Sequence, residues 1–460
     1  MMEYDLIAAV ASPEGRGAIS VIRMSGKGCF EALDKVFFAK NKLPSAERTP
    51  REMLMGKIYA GERLLDEGMC AVFRKPASYT GEDAAELFCH GGRVVTSEIL
   101  SALLTAGCRL ARGGEFTERA FLNGKLTLAA AEAVEEIVDA NNPLYVSTAA
   151  ANLSGRFGKR IRAIRSDLLD AAAHYAACLD YADEGVEPPD PERIEELLIS
   201  ADKELKELKK GCLAGKMIRE GAPVAIVGRT NSGKSTFLNY VLGYERAIVT
   251  EYAGTTRDVI EESVTIPGGA VRFIDTAGFR EADDPVERIG IEKSREMLSR
   301  AEACVVLFDG SAEMGEEDLL TARAVEEEKN RRGELKILKA VNKTDKELKN
   351  DYAALLPEEK TYFISAETGE GMDELLHALG EAVSGGVTDA DAVTNLRHRD
   401  VILRASEVLS ATETDRKRGM TDDVVWSGII SACEILGEIT GDTAKEDMIE
   451  RIFENFCVGK

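Results

Sequence analysis

The chain has 460 residues, 44% of them hydrophobic and 30% charged, with 58 Lys and Arg against 81 Asp and Glu for a net charge of −23. That length allows two to four domains and that apolar content excludes global disorder, while no apolar run of about 18 residues offers a membrane span. The acidic balance excludes a broadly basic coat for nucleic acid.

Residues 1–125 carry 17 basic and 16 acidic side chains, so the excess lies beyond them, at net −24. The first segment is therefore the one whose charge least opposes an anionic ligand. Glu3 and Asp5 precede any apolar stretch, which argues against a cleaved signal peptide and for a cytoplasmic protein. Nine cysteines stand at positions 29, 70, 89, 108, 178, 212, 304, 433 and 457, none in a C-x-x-C pair. Neither a zinc site nor a redox pair is signalled, and an odd count implies free thiols, most of them small buried apolar groups.

Residues 1–120 mix short apolar runs (Leu6–Val10, Ile19–Ile22) with Gly-rich turns and one helical pattern around Val94–Leu104. That reads as an α+β domain. From 121 to 217 the pattern is helical, with Ile161, Ile164, Leu168 and Leu169 on one face. The prolines of Glu184–Asp190 interrupt it, and helix resumes through Glu192–Lys210. Between 218 and 380 β-branched runs alternate with helical stretches: Val224–Val227, Val271–Ile274, Cys304–Phe308, Ile337–Val341 and Tyr362–Ile364. Such alternation implies a parallel sheet of βαβ units. From 381 to 460 helix returns, with Ile429, Ile430, Cys433, Leu436 and Ile439 at helical spacing, and Trp426 is expected to pack there. The economical organisation is a discontinuous all-α domain (121–217 and 381–460) with an α/β domain (218–380) inserted in it.

Within the inserted domain, Gly228-Arg229-Thr230-Asn231-Ser232-Gly233-Lys234-Ser235 fits the phosphate-loop pattern G-x-x-x-x-G-K-[ST] between an expected strand and an expected helix. Its glycines let backbone N–H groups close around phosphates, Lys234 neutralises β/γ oxygens, and Ser235, followed by Thr236, can ligate Mg²⁺. Asp275-Thr276-Ala277-Gly278 ends the next long strand, placing a carboxylate near Mg²⁺ and a glycine beside the γ-phosphate. Asn342-Lys343-Thr344-Asp345 also follows a strand. There Asp345 can accept two hydrogen bonds from the N1–H and 2-amino group of guanine, a donor pair that adenine lacks. Sites of this type discriminate by up to about 10⁴–10⁵. Ser365-Ala366 follows the last strand and would pack on the base. Order and context make this a GTP-binding domain.

The means of hydrolysis is less direct. Where some small GTPases carry a water-positioning glutamine after D-T-A-G, this chain has Phe279, whose side chain cannot orient water. An arginine finger contributes about 10³–10⁵ elsewhere, so comparable help must have another source. Asn231 offers an amide oxygen beside the phosphates that could coordinate a monovalent cation, although asparagine also simply suits a turn. Glu281, Asp283, Asp284 and Glu287 populate the following segment, and chemistry alone does not choose among them.

At this point the chain resembles the MnmE (TrmE) tRNA modification GTPases over essentially its whole length. The resemblance rests on Ala11-Ser12-Pro13-Glu14-Gly15-Arg16-Gly17 with Ile22-Arg23, Tyr79-Thr80-Gly81-Glu82-Asp83, His90-Gly91-Gly92 and the block Gly114–Lys125. To these are added the GTPase motifs, Ala253-Gly254-Thr255-Thr256-Arg257-Asp258, and the ending Cys457-Val458-Gly459-Lys460.

The resemblance implies an N-terminal folate-binding domain that dimerises, a helical domain, and an inserted P-loop GTPase domain of the Ras-like type. It implies a potassium-stimulated GTPase, with Asn231, Thr250, Tyr252 and Thr255 at K⁺, Thr256 beside Ser235 at Mg²⁺, and Glu287 orienting the attacking water. It maps a tetrahydrofolate derivative (5,10-methylene- or 5-formyl-) onto Arg23, Glu86, Lys125 and Lys460. The chemistry suits such a ligand, since a carboxylate pairs with a pterin edge and cations with a glutamate tail. Read alone, Arg23 and Lys125 are ordinary surface charges. Cys457 belongs to the family's ending, either as a catalytic thiol or as a packing or inert one, and His90 reads as structural. The implied partners are a second copy of the chain, the FAD-binding MnmG (GidA) protein in a heterotetramer or larger complex, and tRNA. The implied reaction adds an aminomethyl or carboxymethylaminomethyl group to C5 of wobble uridine 34. The rival expectation is a GTP-dependent ribosome-assembly factor, against which stands the lack of a basic, aromatic RNA-binding module.

Overall fold

The computed structural model describes residues 5–13, 15–180, 191–248, 263–267, 269–274, 289–350, 352–384, 392–454, 456, 457 and 459. The chain divides into two compact units. One comprises Met1–Asp139, Ala149–Asp202 and Arg404–Lys460, the other Ala140–Thr148 and Lys203–Leu403.

The first unit opens with β1 (Ile7–Val10), β2 (Ile19–Ser25), α1 (Cys29–Leu33), β3 (Phe37–Ala39), β4 (Leu54–Ala60), β5 (Arg63–Phe73), β6 (Ala84–His90), α2 (Arg93–Ala106) and β7 (Arg109–Leu110). The strands form one sheet in the order β3-β4-β5-β6-β2-β1-β7, antiparallel except for the parallel β1–β7 pair. Alternation decides its faces. Ile22 and Met24 of β2 and Ala85, Leu87 and Cys89 of β6 are buried on one side, against Ile99 and Leu103 of α2. Arg23 and Glu86, directly opposite each other in the register, occupy the other side.

The helical part follows: α3 (Glu115–Leu122), α4 (Leu128–Asp139), α5 (Pro143–Leu153), α6 (Arg156–Asp180) and α7 (Pro191–Glu220). The expected single face of α6 is real for Ile161, Ile164 and Leu168, all buried, but Leu169 is exposed. A helix turns about 100° per residue, so Leu169 lies well round from Leu168.

The second unit carries β8 (Ala222–Val227), α8 (Lys234–Ile248), β9 (Ser263–Ile266), β10 (Gly269–Phe273), α9 (Ile289–Arg300), β11 (Ala303–Asp309), α10 (Glu316–Arg332), β12 (Lys336–Asn342), β13 (Thr361–Phe363) and α11 (Met372–Ser384). Its sheet runs β13-β12-β11-β8-β10-β9, with β8 to β13 parallel apart from β9, which pairs antiparallel with β10. β11 is buried along its whole length, as a central strand covered on both faces must be. β9 was not among the expected strands: its four residues, Ser-Val-Thr-Ile, make too short a run to stand out.

The chain closes with α12 (Leu396–Lys417), α13 (Asp422–Thr440) and α14 (Glu446–Glu454). In the first unit α13 packs along α6 and buries Ile429, Cys433, Leu436 and Ile439, whereas Ile430, expected on the same face, is only half-buried. Trp426 is likewise half-buried. Phe453 and Phe456 join Leu128 and Ala131 in a small core, fixing the C-terminal segment to α4. Among the described residues seven free cysteines are buried and Cys457 is exposed. Burial pushes the Cys70 thiol up to about 12, so it packs as an apolar group.

Candidate functional site

In the second unit, β8 lies between β10 and β11, so the direction in which strands are added reverses there. Ligands of open parallel sheets sit outside the carboxyl ends of the strands at such a switch point. The loop 228–233 leaves the carboxyl end of β8 and enters the 15-residue helix α8 at Lys234. Asn342 ends β12 and Ser365 lies just past β13. One edge of one sheet thus gathers the motifs that the sequence holds more than a hundred residues apart.

The loop is built for close approach. A Cβ at Gly228 would overlap the carbonyl oxygen of Leu307, and one at Gly233, where φ is +97°, would overlap the amide nitrogen of Asn342. Asn342 instead donates from Nδ2 to the Ser232 carbonyl (2.9 Å) and accepts at Oδ1 from the Ala366 N–H (3.0 Å). This buried side chain therefore ties the phosphate loop to the loop after β13, a part the sequence did not assign to it. Lys234 Nζ donates to the carbonyls of Gly228 (2.8 Å) and Arg229 (2.7 Å), arching over the loop it belongs to. Burial lowers its ammonium below the ordinary lysine value, against the opposing charge of Glu317.

Asn231 has φ +63°, a conformation asparagine tolerates, and is exposed. Its carbonyl accepts from Lys343 Nζ at 2.8 Å. Ser235 is exposed in the first turn of α8, and Thr236, next to it, is half-buried. Asp345 accepts from Ser365 Oγ at 2.6 Å, which with nearby Lys346 and Lys343 holds its carboxyl below the usual range. The carboxylate expected to read the base is thereby kept ionised and aimed by the residue expected to pack on it. Thr250, Tyr252, Thr255, Thr256, Asp275, Thr276, Ala277, Gly278, Phe279, Glu281, Asp283, Asp284 and Glu287 lie outside the described residues. Among the described residues no group of three or more His, Cys, Asp or Glu could hold a metal ion.

Two family models match the chain: "GTP-binding protein TrmE N-terminus" over residues 6–125 and "MnmE helical domain" over residues 128–457. The tRNA modification GTPase MnmE of Alkaliphilus metalliredigens (strain QYMF) is 39% identical over 464 residues, covering 99% of both chains. The chain belongs to the MnmE family of tRNA modification GTPases. Proteins of the same name from Christiangramia forsetii and Natranaerobius thermophilus are 39% and 38% identical, covering 99% and 100% of both chains respectively.

The MnmE-family motifs of the first unit fall into two groups. Arg23 and Glu86 face each other across β2 and β6, with Arg23 Nε and Nη2 both 2.9 Å from Glu86 Oε1. The guanidinium lies 5.2 Å from the Tyr79 ring centroid and 5.7 Å from that of Phe116, and Nη1 donates to the Gly459 carbonyl at 3.5 Å. Gly459, at φ +94°, sits so close to Val10 that a Cβ would overlap its carbonyl. Lys125 Nζ donates to the Pro76 carbonyl (2.9 Å), and its stem passes Gly81. Thus two of the three expected cations, Arg23 and Lys125, border the segment 76–82, and the C-terminal ending reaches the same place. Lys460 lies outside the described residues. Cys457 is exposed, and its carbonyl accepts from the Gly114 N–H at 3.2 Å.

The other group has no free face. Arg119 is 2% exposed and donates to the Asp5 carbonyl and carboxylate, to Glu82 (3.2 Å) and to Glu115 (2.8 Å). Ser25 Oγ also donates to Glu82. Although burial raises the carboxyl of Glu115, its bonds to Arg109, the Arg112 N–H and Arg119 hold it down at about 2. Glu82, Glu115 and Arg119 thus hold the N-terminal domain together from inside. His90, expected as structural, pairs through Nδ1 with Asp66 at 2.7 Å while remaining exposed.

Proposed function

We propose that this chain is the GTP-hydrolysing component of the enzyme that adds an aminomethyl or carboxymethylaminomethyl group to C5 of wobble uridine 34 in tRNA. In this reading it acts as a homodimer with an FAD-binding MnmG-type protein in a heterotetramer or larger complex, in the cytoplasm. Three parts divide the chain: the N-terminal folate-binding domain (1–120), the discontinuous helical domain (121–217 and 381–460) and the GTPase domain (218–380). The observation that carries the GTPase role is the joining of phosphate loop and base loop by Asn342, with Asp345 aligned by Ser365.

GTP would enter with its phosphates on the N–H groups of 231–236 and its guanine on Asp345, flanked by Ser365 and Ala366. Lys234 would turn from loop carbonyls to the β/γ oxygens, an exchange favourable for a partly desolvated ammonium. Ser235 and Thr256 would hold Mg²⁺, whose charge offsets that of the transferring phosphoryl group; Asp275 and Thr276–Gly278 would border that group. Asn231, Thr250, Tyr252 and Thr255 would hold K⁺, and Glu287 would orient the water in place of the missing glutamine.

At the N-terminal site, Glu86 would pair with a pterin edge, and Arg23, Lys125 and Lys460 would hold the anionic tail. A reduced folate bound there supplies the one-carbon unit. The exposed Tyr79 ring beside Arg23 fits a flat heterocycle, and Cys457 would sit at its rim. Hydrolysis would drive conformational change rather than alkylation, because nothing at the phosphate site activates a pyrimidine.

The test is to compare tRNA nucleosides from cells with and without the chain. Loss of the wobble-uridine modification is expected; unchanged wobble uridines together with a ribosome-assembly defect would replace this reading by its rival. Turnover is expected to be faster in K⁺ than in Na⁺, and Glu287→Ala is expected to bind GTP but turn it over slowly.

A further inference from the structure

The second unit holds a charged network that the GTP-site assignment leaves unused. Asp309 ends β11 and is 5% exposed. Its Oδ2 accepts from Lys343 Nζ at 2.7 Å and lies 3.6 Å from Arg229 Nη2, while Oδ1 accepts from the N–H and hydroxyl of Ser311. Arg229 Nη1 donates to Asp318 Oδ2 (3.2 Å) and to the Glu313 carbonyl (3.1 Å). Asp318 is fully buried, and the same Oδ2 accepts from the Gly315 N–H at the start of α10. Tyr352 closes the set, its hydroxyl donating to the Asp309 carbonyl (3.0 Å) and its ring stacked on Phe308.

Two buried carboxylates thus share one guanidinium, and that guanidinium grows from the second residue of the phosphate loop. The backbone of the same residue matters as much. The Arg229 carbonyl accepts from Lys234 Nζ and from the Ser232 N–H (3.2 Å). Anchoring the side chain therefore sets the oxygen that aims the lysine expected to meet the phosphates. Asp309, through Lys343, extends the same anchor to Asn231 and to the base loop.

We infer that Arg229 is a positioning residue for GTP, acting through its clasp on Asp309 and Asp318 to hold the phosphate loop and the base loop in one register. The planar fork presents Nη1 to Asp318 and Nη2 to Asp309 in a fixed geometry that the compact ammonium of a lysine does not reproduce. The inference rests on the GTP-site reading, and GTP binding by the unaltered protein is the control that separates the two: if the unaltered chain does not bind, the site reading fails and not merely this one.

The experiment measures GTP and GDP dissociation constants and steady-state constants for full-length R229M, R229K, D309N and R229M/D309N. R229M is expected to bind both nucleotides about tenfold more weakly, in line with loss of a charged hydrogen bond, with KM raised more than kcat is lowered. R229K is expected to recover only part of the loss. R229M/D309N is expected to lose less than the product of the single losses, because both changes break one clasp. Wild-type affinity in R229M, full recovery in R229K or multiplicative losses would overturn the inference, as would a lower melting temperature with unchanged dissociation constants. Should R229M not fold, R229K and D309N carry the same comparison.

Discussion

Each of the two sheets is accompanied by an arginine-centred ionic cluster, and the clusters differ in what stands at their exposed ends. In the N-terminal sheet, Arg119, Glu115 and Glu82 have side chains 2%, 4% and 10% exposed, and the cluster meets water at Asp5 and Arg109, 58% and 43% exposed. In the inserted sheet the cluster grades outward, from Asp318 with none of its side chain exposed, through Arg229 at 15%, to Lys343 at 25%. The first ends on Asp5 and Arg109, residues with no expected ligand, so it holds elements together. The second begins in the core and ends on the loops that would meet a nucleotide, so core packing can be transmitted to a ligand. Arg23 and Glu86 repeat the second pattern at the N-terminal sheet, with side chains 24% and 22% exposed.

The largest expected effect separates the clusters outright. Arg119→Ala removes the guanidinium paired with Glu82 inside the fold and one of the two closest to Glu115, and should destabilise the first unit by about 3–5 kcal/mol. Its denaturant midpoint should fall while GTP affinity in the still-folded protein stays unchanged. Weakened GTP binding at equal foldedness would show that this cluster is not confined to architecture. Gly233→Ala should do the reverse. Positive φ and the approach of Asn342 leave no room for a methyl group, so GTP affinity should fall about 100-fold, roughly 2.7 kcal/mol. Titration calorimetry reads that loss directly.

Ser365→Ala is gentler. It removes the hydroxyl that aims Asp345 and should weaken GTP binding about fivefold, the worth of one hydrogen bond near 1 kcal/mol. An equal loss for GTP and for inosine triphosphate, which lacks the 2-amino group, would show that Ser365 does not act through base reading.

The smallest effect is one of pH. Glu115 falls from an ordinary 4.5 to about 2 on folding. A depressed carboxyl contributes stability that is complete above its unfolded value and is lost as pH drops from about 4.5 toward 2. The first unit's unfolding free energy should decline through that window, and Glu115→Gln should flatten the decline while lowering stability at neutral pH.

Much of this was legible in residue order. Local chemistry is enough for a phosphate loop, since its glycines and lysine must be consecutive; Asp345, read as the base-reading carboxylate, does sit beside Ser365. β11, β12 and β13 appeared as β-branched runs for the same local reason. What stayed hidden was partnership. Arg229 occupies an unconstrained position of its motif, Asp309 belongs to no motif, and Arg119 carries no role of its own within the block Gly114–Lys125. Nothing in spacing says that residues 229, 309, 318 and 343 converge, because strand order in a parallel sheet is set by crossovers and not by adjacency in the chain.

The sequence by itself determined the family, the GTP-binding motifs and the alternation of helical and sheet-forming stretches, because each depends on contacts within a few residues or on patterns of polarity. Only the tertiary structure decided which charges are interior and which are presented. Burial and pairing are properties of what packs opposite a residue, and for Arg23, Arg119 and Arg229 the opposing groups come from 63, 37 and 80 positions away along the chain.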